Sequence, residues 1–120
     1  MFINFTNHSS MDWSKAQREA ASVYGEIVDI PFPDVDPFGD GDYISSLADK
    51  YISEISKYKP AAVLCQGEMT LAFAVVNRFR KNGVPVFAAC STRNVNEYIG
   101  TNGETVKRAE FIFVQFRKYL

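Results

Sequence analysis

Short apolar runs alternate with segments of helical period along the first ninety residues of this chain. In the longer segments, apolar residues recur three and four positions apart, as they do on one face of a helix. The apolar runs cover residues 2–5, 26–32, 61–65 and 84–90, and the helical segments cover residues 13–24, 43–58 and 69–82. This alternation predicts a parallel sheet with helices on both faces, in which the first strand lies between the second and the third.

The period of the sequence changes after Arg93. Residues 95–99 and 105–116 have the pattern of two further strands, and Asn102-Gly103 between them is the strongest short signal for a hairpin turn. The predicted fold is therefore α/β, a Rossmann-like three-layer fold with a mainly parallel central sheet and a C-terminal β-hairpin. No repeat or change of composition divides the chain, so residues 1–120 are predicted to form a single domain.

Composition excludes several classes of protein. The chain is 47% hydrophobic, which is far from the composition of a disordered chain. No apolar run approaches the roughly 18 residues of a membrane span, and the N-terminus does not have the pattern of a signal peptide. Cys65 and Cys90 lie in or at the end of apolar runs, as buried free thiols do, so we expect a cytoplasmic protein. A net charge of −1 argues against binding to long nucleic acids.

Residues 31–42 interrupt the alternation with an irregular segment. Three prolines, two glycines and four aspartates exclude regular structure there. The spacing of the aspartates superficially resembles a calcium loop, but Phe38 occupies its fifth position and Ser45 its twelfth, where a glutamate is required. We therefore assign turn and capping roles to these aspartates, with Asp42 as the cap of the second helix.

Three loops are expected to meet at one edge of the sheet. Residues 6–10 follow the first strand, residues 66–68 the third and residues 91–93 the fourth. Ligands of open α/β sheets bind outside the carboxyl ends of the strands, where the strand order reverses. These three loops therefore form the candidate site.

The first loop is dense in polar groups: Thr6, Asn7, His8, Ser9 and Ser10. Hydroxyl and amide groups ahead of a helix can hold a phosphate beside free backbone N–H groups, or they can simply cap the helix. His8 is a candidate general base, the alternative being a solvated loop residue. Because it is the only histidine, a multi-histidine metal site is excluded. We expect neither a metal nor a cofactor.

The other two loops add a candidate anion site. Gln66 can hydrogen-bond a base edge or a ribose, and Gly67 permits a close approach of the backbone. Glu68 fits a first-turn carboxylate of the helix that follows, and an ordinary turn explains all three residues equally well. After the fourth strand come Ser91, Thr92 and Arg93. The arginine fork suits phosphate, although a surface ion pair is the alternative.

A set of motifs in residues 61–120 is shared with a known group of proteins. The shared features are Gln66-Gly67 followed by an acid, Val75-Val76-Asn77, Gly83-x-Pro85-Val86, hydroxyls with Arg93, Glu97, Asn102-Gly103 and a closing strand near residues 116–119. This part of the chain resembles the C-terminal half of small CRISPR-associated proteins. They are Rossmann-like relatives of the CARF domains that sense cyclic oligoadenylate, and some of them are ring nucleases. Residues 1–60 match only in layout, and residues 31–42 have no counterpart.

The resemblance implies a ligand and a reaction. Such proteins bind small rings of 3′–5′-linked adenylates made during type III CRISPR immunity. The nuclease members cut the ring without a metal, by attack of a ribose 2′-hydroxyl on its neighbouring phosphate. We expect cyclic tetra-adenylate as the ligand and assign catalysis to Ser9, Ser10, His8 and Arg93. The ligand-binding residues are predicted to be Thr6, Asn7, Gln66, Gly67, Glu68, Ser91 and Thr92.

Two other functions fit the same loops. One is a sensor that binds the ring without cutting it. The other is an unrelated Rossmann-like enzyme acting on nucleosides or nucleotides, for which Glu68 is the only candidate carboxylate in the loops. The resemblance also implies a twofold homodimer, which would match the twofold symmetry of a four-nucleotide ring. The apolar residues of 69–76 are either part of its interface or plain core.

Overall fold

The computed structural model describes all 120 residues, which form five strands and three α-helices. The strands are β1 (Phe2–Phe5), β2 (Ile27–Asp29), β3 (Ala62–Cys65), β4 (Val86–Ile99) and β5 (Thr105–Lys118). The helices are α1 (Lys15–Ser22), α2 (Gly41–Ser56) and α3 (Met69–Lys81), and a 3₁₀ turn at Ser10–Asp12 precedes α1. The elements follow the expected order as far as the fourth strand, although α1 and β2 are shorter than their patterns suggested. The fourth strand and the first hairpin strand, expected as separate elements, form the single strand β4.

All five strands belong to one mixed sheet in the order β2-β1-β3-β4-β5. β1 to β4 run parallel, and β5 returns antiparallel to β4. The expectation that the first strand lies between the second and third is confirmed. The chain is therefore an α/β protein whose strand order reverses beside β1, and the carboxyl ends of the parallel strands share one edge.

The two faces of β1 pack against different helices. Ile3 and Phe5 are fully buried in the larger core, which contains buried residues of α2 and α3. Phe2 points to the opposite face, where it is buried with Trp13 and with Ala21 of α1. This alternation follows from the two-residue period of a strand. It places α1 on one side of the sheet and the other two helices on the other.

The segment that precedes α2 is held by the buried ring of Phe32 and by hydrogen bonds to two aspartates. Phe32 is only 4% exposed, and its ring lies 4.8 Å from the ring of Phe5. Asp36 accepts a hydrogen bond from the Phe38 amide at 2.9 Å, which confirms a turn role for that aspartate. The cap of α2 is Asp40, whose carboxylate accepts from the Tyr43 amide at 2.9 Å. The expectation of Asp42 as the cap is wrong, because α2 begins two residues earlier and places Asp42 inside its first turn.

The C-terminal hairpin is longer than its sequence pattern indicated. β4 continues without a break through residues 91–93, which were expected to form a loop, and pairs with β5 as far as Ile99. An irregularity of register between Cys90 and Ser91 marks a β-bulge in this ladder. The turn has Gly103 at φ 80°, so the hairpin predicted from Asn102-Gly103 is present. Pairing with β5 has extended β4 through a polar stretch, residues 91–94, in which only Thr92 has a strong strand preference.

Burial separates the apolar residues of α3 into two groups. Leu71, Ala72, Val75 and Val76 lie in the core, which confirms the core interpretation for them, whereas Met69 and Phe73 are exposed. Both cysteines are free. Burial of the Cys65 thiol raises its pKa to about 12, as expected for an inert core thiol, and Cys90 is half-buried. None of the helices has the length and apolar character needed to cross a membrane.

Replacing Asp40 by alanine should lower the free energy of unfolding by about 1 kcal/mol, because the Tyr43 amide loses its acceptor. Asp42→Ala is the matched control, since Asp42 makes no side-chain hydrogen bond and contributes only a few tenths of a kcal/mol through the helix dipole. Urea denaturation of the two variants gives the comparison. An equal or larger loss in Asp42→Ala would contradict the assignment of the cap.

Candidate functional site

A cavity of about 860 Å³ lies at the carboxyl edge of the sheet, on the side of α1. The loop after β1 contributes Thr6, Asn7 and His8, the end of β3 contributes Gln66 and Gly67, and β4 contributes Ser91. The approach to α1 and part of β5 close the remaining sides with Asp12, Trp13, Ser14, Ala16, Gln17 and residues 110–113. The three segments expected to converge therefore do meet here, but not with all of their residues.

The buried amide of Asn4 fixes the loop after β1. Its Nδ2 donates to the carbonyl oxygen of His8 at 2.7 Å and to Asp29 Oδ1 at 2.8 Å. Its Oδ1 accepts from the hydroxyl of Thr6 at 2.8 Å, and that hydroxyl in turn accepts from the His8 amide at 3.1 Å. The backbone of His8 is thus held on both sides of its Cα. Its imidazole makes no hydrogen bond and is left exposed at the cavity.

Ser9 and Ser10 face Asp29 rather than the cavity. The Ser10 hydroxyl donates to Asp29 Oδ2 at 3.0 Å, and the Ser10 amide reaches the same carboxylate at 3.2 Å. The Ser9 hydroxyl donates to Asp29 Oδ2 at 3.4 Å and accepts from the Met11 amide at 3.2 Å, which makes Ser9 the cap of the 3₁₀ turn. Asp29, at the end of β2, therefore gathers both serines beside the cavity wall.

The side chain of Gln66 takes the place of a main-chain hydrogen-bond acceptor for β4. Its Oε1 accepts a hydrogen bond from the Ala89 amide at 2.9 Å, just beyond the last paired residues of β3 and β4. Its Nε2 has no partner in the protein, and the residue lines the cavity. The oxygen of the Gln66 side-chain amide therefore has a structural role, and its nitrogen is free to donate to a ligand. The expectation that Gln66 hydrogen-bonds a ligand agrees with this position.

The group that lies close to the backbone of Gly67 is a side chain of this protein, not a ligand. A Cβ at this position would lie 2.5 Å from two ring atoms of Phe32. Phe32 is buried, so its ring cannot move away without disturbing the core. Position 67 therefore requires a glycine, because the Phe32 ring occupies the space that a side chain would need.

Glu68 lies outside the cavity and caps α3. Its carboxylate accepts from the Leu71 amide at 2.9 Å, from the Thr70 amide at 3.0 Å and from the Thr70 hydroxyl at 2.7 Å. The hydrogen bond from the Leu71 backbone, followed by those from Thr70, lowers the pKa of this carboxyl below its usual 4.5. Glu68 was expected in the first turn of α3, but it is the N-cap that precedes this turn, and its oxygens are engaged at the helix terminus.

Residues 91–93 occupy strand positions, so their side chains alternate between the two faces of the β4–β5 hairpin. Ser91 and Arg93 are the register partners of Phe113 and Phe111, whereas Thr92 pairs with Ile112 on the other face. The guanidinium of Arg93 makes no ion pair and no hydrogen bond, so the surface ion pair considered above is not formed. Ser91 lines the cavity, and Arg93 follows two residues further along the same face.

Sequence reasoning missed the aromatic part of this wall. Trp13, Phe111 and Phe113 all line the cavity. The register of the hairpin carried the signal, because strands paired backwards from Asn102-Gly103 bring residues 111–113 opposite residues 91–93. Trp13 lies between the 3₁₀ turn and α1, and it is only 7% exposed while it contributes to the wall.

The charges in the wall are negative. Asp12 and Glu110 line the cavity, and no lysine or arginine does. Acidic residues at the border of a cavity repel a phosphate but not a neutral, planar group, which aromatic rings and amides bind well. The cavity therefore suits a heterocyclic base better than a phosphate.

The family assignment covers the whole site. A protein-family model matches residues 1–117. The chain belongs to the uncharacterized protein MJ1673 family. Every residue that lines the cavity falls within the matched range. Among curated proteins, none matches the chain.

A second cavity, of about 530 Å³, lies on the α3 side of the sheet. Met69, Phe73 and Leu120 give it an apolar wall, and Arg80 lies at its border. Gln66 and Gly67 line both cavities. The β3–α3 turn therefore borders both spaces.

Gly67→Ala should lower the free energy of unfolding by about 1–3 kcal/mol, because the new methyl group overlaps the Phe32 ring. Gly41→Ala is the control, since a Cβ at that position meets nothing within 4 Å. Chemical denaturation of both variants measures the difference. If Gly67→Ala is as stable as the wild type, the contact with Phe32 does not explain the glycine.

The lowered pKa of Glu68 should appear in the pH dependence of stability. A carboxyl whose pKa is lower in the folded state contributes stability above its unfolded pKa, near 4.5, and loses it as the pH falls through the folded value. The stability difference between wild type and Glu68→Gln should therefore be constant above about pH 5.5 and should shrink in more acidic solution. Urea midpoints across this pH range test it, and a difference that is the same at every pH would contradict the capping role.

Proposed function

We propose that this protein binds cyclic oligoadenylates, with cyclic tetra-adenylate as the first ring to test, and cleaves them to end type III CRISPR signalling. The observation that carries the proposal is the cavity at the carboxyl edge of the sheet, which combines aromatic rings with free amide, hydroxyl and imidazole groups. The motifs of residues 61–120 support the same ligand. We further propose that the sheet and its helices form a Rossmann-like, CARF-like domain.

In this proposal the adenine base enters the cavity and the phosphate stays at its mouth. The volume of about 860 Å³ falls within the usual range for small-molecule sites. Phe111 and Phe113 offer surfaces on which a base can stack, and Gln66 Nε2 is a free donor for a ring nitrogen. The acidic residues among the lining disfavour a phosphate inside, whereas Arg93 is an unpaired cation on the same face of the β4–β5 hairpin as Ser91.

The proposed cleavage is a transesterification within the ring. The 2′-oxygen of one ribose forms a bond to the adjacent phosphorus, and the bond from phosphorus to the 5′-oxygen of the next nucleotide breaks. The 2′-hydroxyl gives up its proton, the 5′-oxygen gains one, and the product ends in a 2′,3′-cyclic phosphate. His8 is the candidate for accepting the first proton, because its imidazole is free and lies at the cavity. Arg93 is the candidate for neutralising the charge that develops on the phosphate.

Ser9 and Ser10 act in this proposal through the loop that they hold. Their hydroxyl protons are directed at Asp29, so neither is free to bind a phosphate in the observed arrangement. Loss of either hydroxyl would loosen the segment that follows His8. We therefore expect these serines to affect cleavage more than binding.

A twofold homodimer completes the proposal. Cyclic tetra-adenylate has a twofold axis, and two copies of the chain related by such an axis would offer the same contacts to both halves of the ring. Each copy would also contribute one Arg93, which doubles the positive charge facing the phosphates.

A sensor that binds the ring without cutting it is the second candidate. The engagement of Ser9 and Ser10 with Asp29 favours it, because it leaves His8 as the only loop residue in the cavity suited to proton transfer. The nucleoside-processing alternative depended on Glu68, whose carboxylate caps α3 outside the cavity.

Incubation with labelled cyclic tetra-adenylate in the presence of EDTA should yield linear products that end in a 2′,3′-cyclic phosphate. His8→Ala should slow cleavage by about 10²–10⁴-fold with little change in binding. Arg93→Ala should weaken binding by about 10–100-fold. Ser9→Ala and Ser10→Ala should lower the cleavage rate more than the affinity. Mass spectrometry identifies the products, and calorimetry with a non-cleavable ring measures binding.

Arg80→Ala is the matched control, because Arg80 borders the second cavity, on the opposite side of the sheet. Binding without product would support the sensor and exclude the nuclease. An affinity that falls equally in Arg80→Ala and Arg93→Ala would point to non-specific attraction. Absence of any binding at micromolar concentration would overturn the proposed ligand.

A further inference from the structure

The distal hairpin, residues 91–113, projects away from the rest of the molecule. The parallel strands β1 to β3 have three or four residues each, whereas β4 and β5 have 14. β3 pairs with β4 only at Val86 and Phe87. The radius of gyration is 17.2 Å, compared with about 14 Å for a compact chain of this length. We call residues 91–113 the arm.

The arm exposes apolar side chains on both of its faces. Val95, Ile99 and Phe111 are 53%, 78% and 72% exposed on one face, and Tyr98 and Ile112 are exposed on the other. An isolated two-stranded ribbon is marginally stable in water, and further strands or a covering layer stabilise it. The arm therefore has the properties of a strand pair that lacks a neighbour.

The open edge of β5 presents a regular set of hydrogen-bonding groups. β5 is the last strand of the sheet. The Gly100 amide donates to the Glu104 carbonyl at 2.8 Å, which fixes the parity of the ladder. Because antiparallel pairs alternate, the even-numbered residues 106–112 bond to β4, and residues 105, 107, 109, 111 and 113 direct their N–H and C=O groups outwards.

We propose that this edge of β5 pairs antiparallel with the same edge of a second copy, about a twofold axis at Ala109. Ala109 then pairs with the partner's Ala109, and Lys107 pairs with the partner's Phe111, and conversely. Each of these three pairs exchanges two main-chain hydrogen bonds. The occupant is a second copy because the edge is complementary to itself.

Charge decides this register. Around an axis at Ala109, Arg108 lies opposite the partner's Glu110, and Glu110 lies opposite the partner's Arg108. Neither residue forms an ion pair within the chain. The next pair in the same direction joins Val106 to the partner's Ile112. Because the axis is twofold, the pair of opposite charges and the apolar pair each occur twice, as an isologous interface requires.

The open edge of β4 is the weaker alternative. An axis at Val95 would place Arg93 opposite the partner's Glu97. Glu97 is already paired with Lys107 of its own chain at 3.6 Å, so the gain in charge pairing is smaller. Pairing through β4 would also engage Arg93, which β5 pairing leaves free.

The joined arms form a four-stranded ribbon with one continuous face. Residues of the same parity stay on the same side across an antiparallel pair, so this face carries Arg93, Phe111 and Phe113 of both copies. Only this consequence rests on the proposed function: the ring would lie across the axis, with a cavity at each side. The pairing itself requires no ligand.

Two proline variants test which edge is used. Ala109 and Val95 are register partners, and their N–H groups point to opposite edges of the ribbon. Proline is tolerated where the N–H faces outwards, so both hairpins should survive. At micromolar concentration without ligand, light scattering should give the wild type and Val95→Pro twice the chain mass of 13.5 kDa. Ala109→Pro should raise the dimer dissociation constant at least about tenfold.

Charge reversal tests the register independently of proline. Arg108→Glu and Glu110→Arg should each dissociate the dimer, and the double variant should restore it. A monomeric wild type, a dimeric Ala109→Pro or dissociation by Val95→Pro alone would overturn the inference, and failure of the double variant to recover would overturn the register. A wild-type dimer that binds no ring would overturn the proposed ligand and leave the pairing intact.

Discussion

One buried amide, that of Asn4, holds the carboxyl edge of the sheet together. The residue is 1% exposed, and all of its hydrogen-bonding groups are used: two protons reach the loop after β1 and the end of β2, and its oxygen receives the Thr6 hydroxyl. A buried amide with even one group unpaired is costly, so this arrangement leaves few alternatives. The position of His8, the grouping of both serines on Asp29 and one wall of the cavity all follow from it.

Much of the fold was predictable because the residues that become buried are spaced in the sequence with the periods of strands and helices. The parallel order, the place of β1 and the hairpin turn follow from apolar runs, helical spacing and Asn102-Gly103. Asn4 was not recognised, since its neighbours Ile3 and Phe5 make the run look uniformly apolar. Its partner Asp29 lies 25 positions away, and no local pattern links the two.

The candidate site was predicted in part, for the same physical reason. Loops that follow parallel strands must meet, and Thr6, Asn7, His8, Gln66, Gly67 and Ser91 do line one cavity. The error lay in treating residues 91–93 as a loop. Only Thr92 among them has a strong strand preference, and the strand exists because β5 pairs with it. A partner twenty residues away decided the local structure, which is why local propensity failed at this point.

Gln66 and Gly67 line two cavities on opposite sides of the sheet. β3 ends at Cys65 while β4 continues. The side chain of Gln66 accepts the hydrogen bond from β4 that the main chain of a longer β3 would accept. As a result, the two spaces cannot be altered separately at these positions. A substitution that reshapes one cavity reshapes the other, so directed evolution for a new ligand on either side would have to conserve this dipeptide and vary the helices instead.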